Sequence, residues 1–303
     1  MADIKVVYVN FSYYDSMIKK APANPNQAQK IKKAANLSNK PLIEAICEIQ
    51  WQFDGQPLKH GSYTGFETIP PIDPCHRMTL GLFYNQLKDD YPYHEALPTA
   101  MLPDEMLGRT VQHRFRVKKD KWPLVQIGPG VLSINDTETY KWDDFKKRAV
   151  SAVDNLFQAH PEADKITVTS LSLRYVNAIK MDYLKEDIYA FLKTKMGITL
   201  DLPTQLFHEV NGAEISPFPV SFTWQSSYRS NTPEGNVTVG FATGQKDGTD
   251  PAIIWEIQVQ SLQSQIPNKT NKDFGKWIDS AHNITDDWFF KLIQGDLYEV
   301  FQQ

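Results

Sequence analysis

The clearest indication of the fold is the alternating segment Leu42-Ile-Glu-Ala-Ile-Cys-Glu-Ile-Gln-Trp-Gln-Phe53. Successive side chains of a β-strand point to opposite faces of its sheet, so strict alternation of apolar and polar residues indicates a strand with one buried and one hydrated face. The alternation is between apolar Ile43, Ala45, Cys47, Ile49, Trp51 and Phe53 and polar Glu44, Glu48, Gln50 and Gln52. The stretch therefore predicts a long strand with a clear inside and outside.

Outward from this strand, the same order of elements is predicted twice. After the first strand, the pattern predicts a helix at 79–91, strands at 111–118, 122–127 and 131–135, and a helix at 142–159. The second series has a strand at 166–183, a helix at 187–196, strands at 220–228, 236–241 and 253–260, and a last helix capped by Thr270 and interrupted near Asn283.

This order predicts an α+β protein made of two pseudo-duplicated β-α-β-β-β-α halves, with antiparallel sheets covered by helices on one face. The halves are residues 41–163 and 164–303, either as separate domains or as one compact unit. The repeat lies in the order of elements and not in residue-level similarity. Residues 1–40 are predicted to form a strand at 4–11 and a polar linker.

The composition fits an ordinary globular protein, with 41% hydrophobic and 22% charged residues. The net charge of −4 argues against a surface that is basic throughout, as a general nucleic-acid binder would need. Two cysteines are too few for a disulfide scaffold. Without a signal peptide or an apolar run long enough for a membrane span, we expect a cytoplasmic protein with no membrane association.

Recognisable catalytic motifs are missing from the sequence. It contains neither glycine-rich phosphate loop, no G-x-S-x-G serine elbow, and no close pair of cysteines or histidines of the kind that binds zinc. Cys75-His76 is adjacent, but neighbouring side chains of an extended chain point apart. We therefore predict no catalytic residue, metal or cofactor, while an enzyme of an unfamiliar type stays open.

The first candidate binding cluster lies between His113 and Trp122. On a strand, Arg114, Arg116 and Lys118 share one face, so three cations would line up beside Trp122. Such a ribbon suits a nucleic-acid backbone or an acidic protein surface. The alternative is an edge strand that its charges protect against aggregation.

The second cluster is in the strand predicted at 166–183. There Tyr175 and Asn177 share one face and Arg174 lies on the other. An arginine in a central strand seldom stays unpaired, so Arg174 implies either a carboxylate partner or an anionic ligand.

Several of these motifs together resemble a known set. The segments are 41–49 (PLIEAICEI), 125–135 (VQIGPGVLSIN), 140–145 (YKWDDF), 173–177 (LRYVN) and the last helix with Ala281-His282 and Phe289. They are similar to those of an uncharacterised family of sporadically distributed prokaryotic proteins of unknown function. The resemblance covers the chain from Pro41 onward and implies no activity or catalytic residue. Its sporadic distribution implies a horizontally transferred setting such as anti-phage defence or a toxin–antitoxin module.

These observations predict a non-enzymatic binding or accessory protein of a bacterial defence or toxin–antitoxin type module, with an operon neighbour as its protein partner. One alternative is a sensor that binds a small molecule or nucleotide between the two halves, with Arg174 contacting an anion. Another is a nucleic-acid-binding protein, which the charge does not favour. The sequence leaves the homo-oligomeric state open.

Overall fold

The computed structural model describes residues 37–54, 73–103, 108–137, 139–208, 211–246, 250–266 and 271–302. The chain divides into two compact units, Met1–Leu37 and Ser38–Gln303, and the architecture below is that of the second. The strand predicted at 4–11, most of the polar linker and the capping residue Thr270 lie outside the described residues.

Nine strands of the described chain form one sheet, and every neighbouring pair is antiparallel. Their order across the sheet is β2-β3-β4-β5-β1-β6-β9-β8-β7. The strands are β1 (Leu42–Phe53), β2 (Tyr93–Ala96), β3 (His113–Arg116), β4 (Leu124–Gly128), β5 (Val131–Asp136), β6 (Ile166–Lys180), β7 (Thr223–Asn231), β8 (Glu234–Lys246) and β9 (Asp250–Leu262). The alternating stretch at 42–53 is thus a central strand, paired with β5 on one side and β6 on the other.

The described helices are α1 (His76–Leu87), α2 (Trp142–Ala159), α3 (Ile188–Met196), α4 (Asn271–Leu292) and α5 (Asp296–Gln302). Asp143 and Asp144 favour the start of α2 because carboxylates stabilise the positive end of the helix dipole. Asp187 caps α3 by accepting hydrogen bonds from the amides of Tyr189 and Ala190. Among the described helices, none combines the length and apolar character that crossing a bilayer requires.

The hydrophobic core lies between one face of the sheet and helices α1, α2 and α4. Phe145 of α2 and Ile278 of α4 are fully buried there. The strands contribute a row of buried side chains that face one another from β3 to β8, which we call the covered row. It consists of Phe115, Val125, Ile134, Cys47, Leu173, Val259 and Val237.

The α+β class and the antiparallel sheet are confirmed. Several boundaries shift by a few residues, as for the helix predicted at 79–91, which is His76–Leu87, and the strand predicted at 220–228, which is Thr223–Asn231. Four further differences change the elements or the predicted sites. An extra strand, β2, precedes β3, and its four residues between Pro92 and Pro98 are too few to show alternation. Strand β3 ends at Arg116, so Lys118 is not on it. Strand β6 ends at Lys180 instead of residue 183. The last predicted helix continues unbroken through Asn283, and α5 follows separately.

Candidate functional site

The second face of the sheet carries a row of polar side chains that crosses all nine strands. The strand registers place one polar residue of each strand directly beside the next. We call these residues the polar row, and from one edge of the sheet to the other they are Glu95, Arg114, Gln126, Ser133, Glu48, Ser172, Gln260, Asn236 and Arg229. We call the side of the sheet that carries the polar row the polar face. It is the candidate binding surface.

Hydrogen bonds between side chains hold much of the polar face in place. Arg114 Nε donates to Gln126 Oε1 at 3.0 Å, and Gln126 Nε2 donates to Ser133 Oγ at 3.2 Å. Ser133 Oγ donates to Asn135 Oδ1 at 3.0 Å, and Asn135 Nδ2 donates to Glu44 Oε1 at 2.8 Å. These side-chain bonds link β3, β4, β5 and β1 in addition to the backbone bonds of the sheet.

The other side of the sheet repeats this arrangement with glutamine and serine. Gln258 Nε2 donates to Ser172 Oγ at 2.7 Å, and Gln260 Nε2 donates to Ser170 Oγ at 3.1 Å. Both serines are buried although they lie on the face that the helices do not cover. The polar face therefore presents donors and acceptors whose positions are already set.

An irregular segment that includes Arg109 and Thr110 crosses part of the polar face. A Cβ at Gly128 would collide with the carbonyl oxygen of Thr110, so the chain there passes directly over the end of β4. Next to it, Arg109 Nη1 donates to Gln50 Oε1 of β1 at 3.2 Å. Glycine at 128 is required by this close approach of two backbones.

The predicted cationic ribbon is not a line of free charges. Arg116 is only 8% exposed, and it donates to Glu95 Oε2 at 3.1 Å and to the Lys121 carbonyl at 3.0 Å. Its guanidinium carbon lies 5.7 Å from the Trp122 ring centre, a cation–π contact. Arg114 lies 3.6 Å from the same Glu95 carboxylate. Of the three cations predicted to line up, only Lys118 is exposed, and it lies beyond the strand.

Arg174 lies on the polar face, next to the polar row. Its Nη1 is 3.5 Å from Glu256 Oε2 on the neighbouring strand β9. The carboxylate alternative in the sequence prediction thus has a specific partner. Sequence separation hid it, because Glu256 comes from the other end of the predicted second half.

Tyr175 lies on the covered face, in a chain of hydrogen bonds that the sequence alone did not reveal. Its hydroxyl is 2.7 Å from the hydroxyl of Tyr140 and 3.0 Å from His282 Nδ1. Trp142 stacks on His282 with ring centres 3.6 Å apart. Burial raises the pKa of Tyr175 and of Tyr140 well above the ordinary value for tyrosine, so both hydroxyls stay protonated. The cluster brings together β6, α4 and the start of α2.

Asn177 lies two residues from Tyr175 on the same face, and Trp255 of β9 is its direct cross-strand neighbour. Asn177 is 2% exposed and Trp255 is fully buried. Among the described residues, Asn177 Nδ2 and Trp255 Nε1 have no hydrogen-bond partner. Both groups are donors, so they cannot satisfy each other, and leaving each unpaired costs about 1–3 kcal/mol.

A third polar cluster contains Asp73, Cys75 and His160, whose ligand-type atoms lie within 4.8 Å of one another. Asp73 Oδ2 accepts from Trp51 Nε1 at 3.0 Å and lies 2.8 Å from His160 Nε2, while Asp73 Oδ1 accepts from the Cys75 amide at 2.8 Å. His160 Nδ1 accepts from the Glu162 amide at 3.1 Å. These bonds occupy both carboxylate oxygens and both ring nitrogens, so the geometry is that of a structural cluster.

The two cysteines are not activated nucleophiles. Burial, with a further contribution from the Asp73 charge, raises the pKa of the Cys75 thiol. Burial also raises the pKa of Cys47, which belongs to the covered row. A reactive cysteine needs a lowered pKa because the thiolate is the nucleophile.

The chain was compared with protein-family models and with curated proteins. No protein-family model matches the chain, and no curated protein matches it significantly.

Proposed function

We propose that the protein is a non-enzymatic binding protein that holds a protein partner on the polar face of its sheet. The observation that carries this proposal is the polar row, in which nine strands each contribute one polar residue. An antiparallel sheet often has a hydrated face, so polarity alone is weak support. Stronger support comes from the bonds that fix these side chains, because a surface ordered in advance loses less entropy on binding.

The charges of the polar face favour a protein over a nucleic acid. The polar row has two arginines and two glutamates, so its formal charges cancel. Arg114 and Arg116 are engaged by Glu95, and Arg174 is close to Glu256. Binding to a phosphate backbone depends on cations that are free to replace its counterions. A partner with uncharged hydrogen-bonding groups suits this surface better.

The strand order supports the proposed pseudo-duplication. From β3, next to the edge strand β2, the order inward is β3-β4-β5-β1, and from the other edge it is β7-β8-β9-β6. In each series, a strand followed by a helix takes the innermost place, and the three later strands run in sequence toward it. We propose that β1 and β6 are corresponding strands of two related halves, with β2 added to the first.

The proposed biological setting rests on the resemblance to a sporadically distributed family. It is a bacterial anti-phage defence or toxin–antitoxin type module, in which this protein is the accessory or neutralising component. An operon neighbour is the proposed partner.

Co-expression with the product of each adjacent gene tests the function. We expect one product to co-elute with the full chain in size-exclusion chromatography. Replacing both Gln258 and Gln260 with alanine removes two donors from the middle of the polar face and should weaken that complex about tenfold or more, as measured by calorimetry. The control is Gln158→Ala, an exposed glutamine on α2, which should bind as the unmodified protein does.

Two results would contradict the proposal. One is that no neighbour co-elutes with the unmodified chain. The other is a complex whose affinity the double variant leaves unchanged while its melting temperature shows that it is folded.

The second candidate function is a small-molecule sensor, and the unpartnered donors of Asn177 and Trp255 favour it. These donors suit a carbonyl, carboxylate or phosphate oxygen. They lie near Tyr175, on strands of the second half but beside the start of β1, since Leu42 is the partner of Asn177. Arg174, the anion contact expected from sequence, is on the opposite face beside Glu256.

A thermal-shift screen of carboxylate and phosphate metabolites, cyclic nucleotides included, tests this candidate. A ligand at 100 times its dissociation constant adds about 2.7 kcal/mol to stability. The shift should disappear in Asn177→Leu, which removes one donor. If Asn177→Leu is more stable than the unmodified protein and no compound shifts either form, the donors are simply unpaired and the sensor is excluded.

A further inference from the structure

The two edges of the sheet differ in how they are protected. Edge strand β2 has four residues, lies between Pro92 and Pro98, and has Glu95 paired with two arginines. Edge strand β7 has nine residues in unbroken register with β8. It contains no proline or lysine, and Arg229 is its only charged residue. Proline, lysine, bulges and short length are the usual devices against edge pairing, and β7 uses none of them.

The hydrogen-bond pattern identifies which groups of β7 point outward. The Thr243 amide donates to the Phe222 carbonyl at 2.9 Å. Bonded pairs alternate along an antiparallel ladder, so residues 224, 226, 228 and 230 bond to β8. The close contact of the Ser227 and Thr238 hydroxyls, 2.8 Å apart, agrees with this, because side chains approach more closely at pairs without main-chain bonds.

Five residues of β7 therefore direct their main-chain amides and carbonyls away from β8: Thr223, Gln225, Ser227, Arg229 and Asn231. In the described part of the chain, no strand pairs with this edge. The five residues are distributed evenly around Ser227, which is the midpoint of the strand. A second β7 running in the opposite direction can therefore meet all of them if the two-fold axis passes through Ser227.

The side chains are compatible with that pairing. With Ser227 on the axis, Arg229 of one copy faces Gln225 of the other, and Thr223 faces Asn231. The only cation of the strand thus faces an amide that can accept its hydrogen bonds, and no like charges meet. Tyr228, which is 50% exposed, faces Ser226 on the other side of the sheet. The strand is complementary to itself.

We propose that β7 pairs antiparallel with β7 of a second copy of this chain, with Ser227 on the two-fold axis. Each of the five outward-facing residues then exchanges main-chain hydrogen bonds with its partner. The two sheets become one continuous sheet, and the two polar faces join across the paired β7 strands, where Arg229 of each copy lies beside Gln225 of the other. This dimer gives the partner a polar surface twice as long as one chain provides.

The test compares two substitutions at the same position in the full chain. Ser227→Pro removes the outward amide on the axis and keeps the β8 ladder, since proline is tolerated where an edge amide faces solvent. Ser227→Ala keeps the amide and loses only the hydroxyl contact with Thr238. Sedimentation equilibrium at micromolar concentrations should show dimers for the unmodified chain and for Ser227→Ala. Ser227→Pro should weaken the dimer about tenfold or more, because two main-chain bonds are lost at the axis.

A charge pair distinguishes this interface from any other. Ser227→Lys and Ser227→Glu each place like charges opposite each other and should weaken self-association, whereas an equimolar mixture should form a heterodimer. The proposal is overturned if the unmodified chain is a monomer throughout this concentration range. It is also overturned if Ser227→Pro dimerises as strongly as Ser227→Ala, or if the mixed charge variants fail to pair.

Discussion

The covered row and the polar row are one residue apart along the same strands and have opposite chemistry. On β1 they are represented by Cys47 and Glu48, and on β6 by Leu173 and Ser172. The covered row is apolar from β3 to β8 and lies against α2 and α4, while the polar row contains no apolar side chain from edge to edge. One alternating pattern therefore produces both the core and the proposed binding surface.

The two rows also differ in what they contribute to stability. Burial of apolar side chains stabilises by roughly 25 cal/mol for each Å² removed from water. A hydrogen bond between polar side chains contributes only about 1 kcal/mol, because it replaces bonds to water. Stability should therefore depend on the covered face, and the polar face should tolerate substitution unless binding is measured.

The largest effect should separate two adjacent residues of β1. Ile49→Ala removes a side chain that is 1% exposed and leaves a cavity, so the free energy of unfolding should fall by about 2–5 kcal/mol. Glu48→Ala, on the polar row, should change it by about 0.5 kcal/mol or less. Urea denaturation followed by circular dichroism measures both. Equal losses would contradict the division of the sheet into a stabilising and a binding face.

A medium effect should come from the buried carboxylate of Asp73, which accepts a hydrogen bond from Trp51 of β1. Burial pushes the pKa of Asp73 upward, but hydrogen bonds from His160, Trp51 and the Cys75 amide outweigh it and hold the pKa below its ordinary value of 3.8. A depressed pKa adds stability that is complete above the unfolded-state value and is lost as pH falls toward the folded-state value. Asp73→Asn should reduce stability at pH 7 by about 1–3 kcal/mol, because an amide accepts at only one atom.

The pH profile provides the control for this prediction. The difference in unfolding free energy between the unmodified chain and Asp73→Asn should shrink as pH falls below 3.8. A difference that stays constant down to that range would show that the Asp73 charge contributes nothing.

The smallest effect should be at the ion pair on the polar face. The side chains of Arg174 and Glu256 are 41% and 31% exposed, so solvent screens their attraction. A double-mutant cycle with Arg174→Gln and Glu256→Gln should give a coupling energy of about 0–1 kcal/mol, falling with added salt. A coupling several times larger would mean that the polar face contributes substantially to folding.

The spacing of apolar residues predicted the central strands and helices, because such spacing can be read from each segment by itself. The alternation of β1 and the helical spacing of Phe145, Ala149 and Val153 need no knowledge of the rest of the chain. Strand β2 was not predicted, since its four residues acquire a regular structure only by pairing with β3. Short edge strands depend on their neighbour more than on their own sequence.

The candidate site was less predictable because its contacts join distant parts of the sequence. The sequence predicts Arg116 as a surface cation. Its burial depends on contacts with Glu95 and with the Lys121 carbonyl, which the sequence pattern does not show. Tyr175 was singled out from its motif, yet its partners Tyr140 and His282 come from other motifs on separate elements. The polar row itself exists only once the registers of nine strands are known.

The pairing of β1 with β6 also has a consequence for synthesis on the ribosome. Strand β1 emerges early and can pair with β5 as soon as the first half is complete, but β6 follows only after the whole of α2. Until then, twelve residues of β1 present an open edge with a strongly apolar face, a form of nascent chain prone to aggregation. The first half is therefore a poor candidate for expression alone, and translation speed through 142–180 should influence the yield of folded protein.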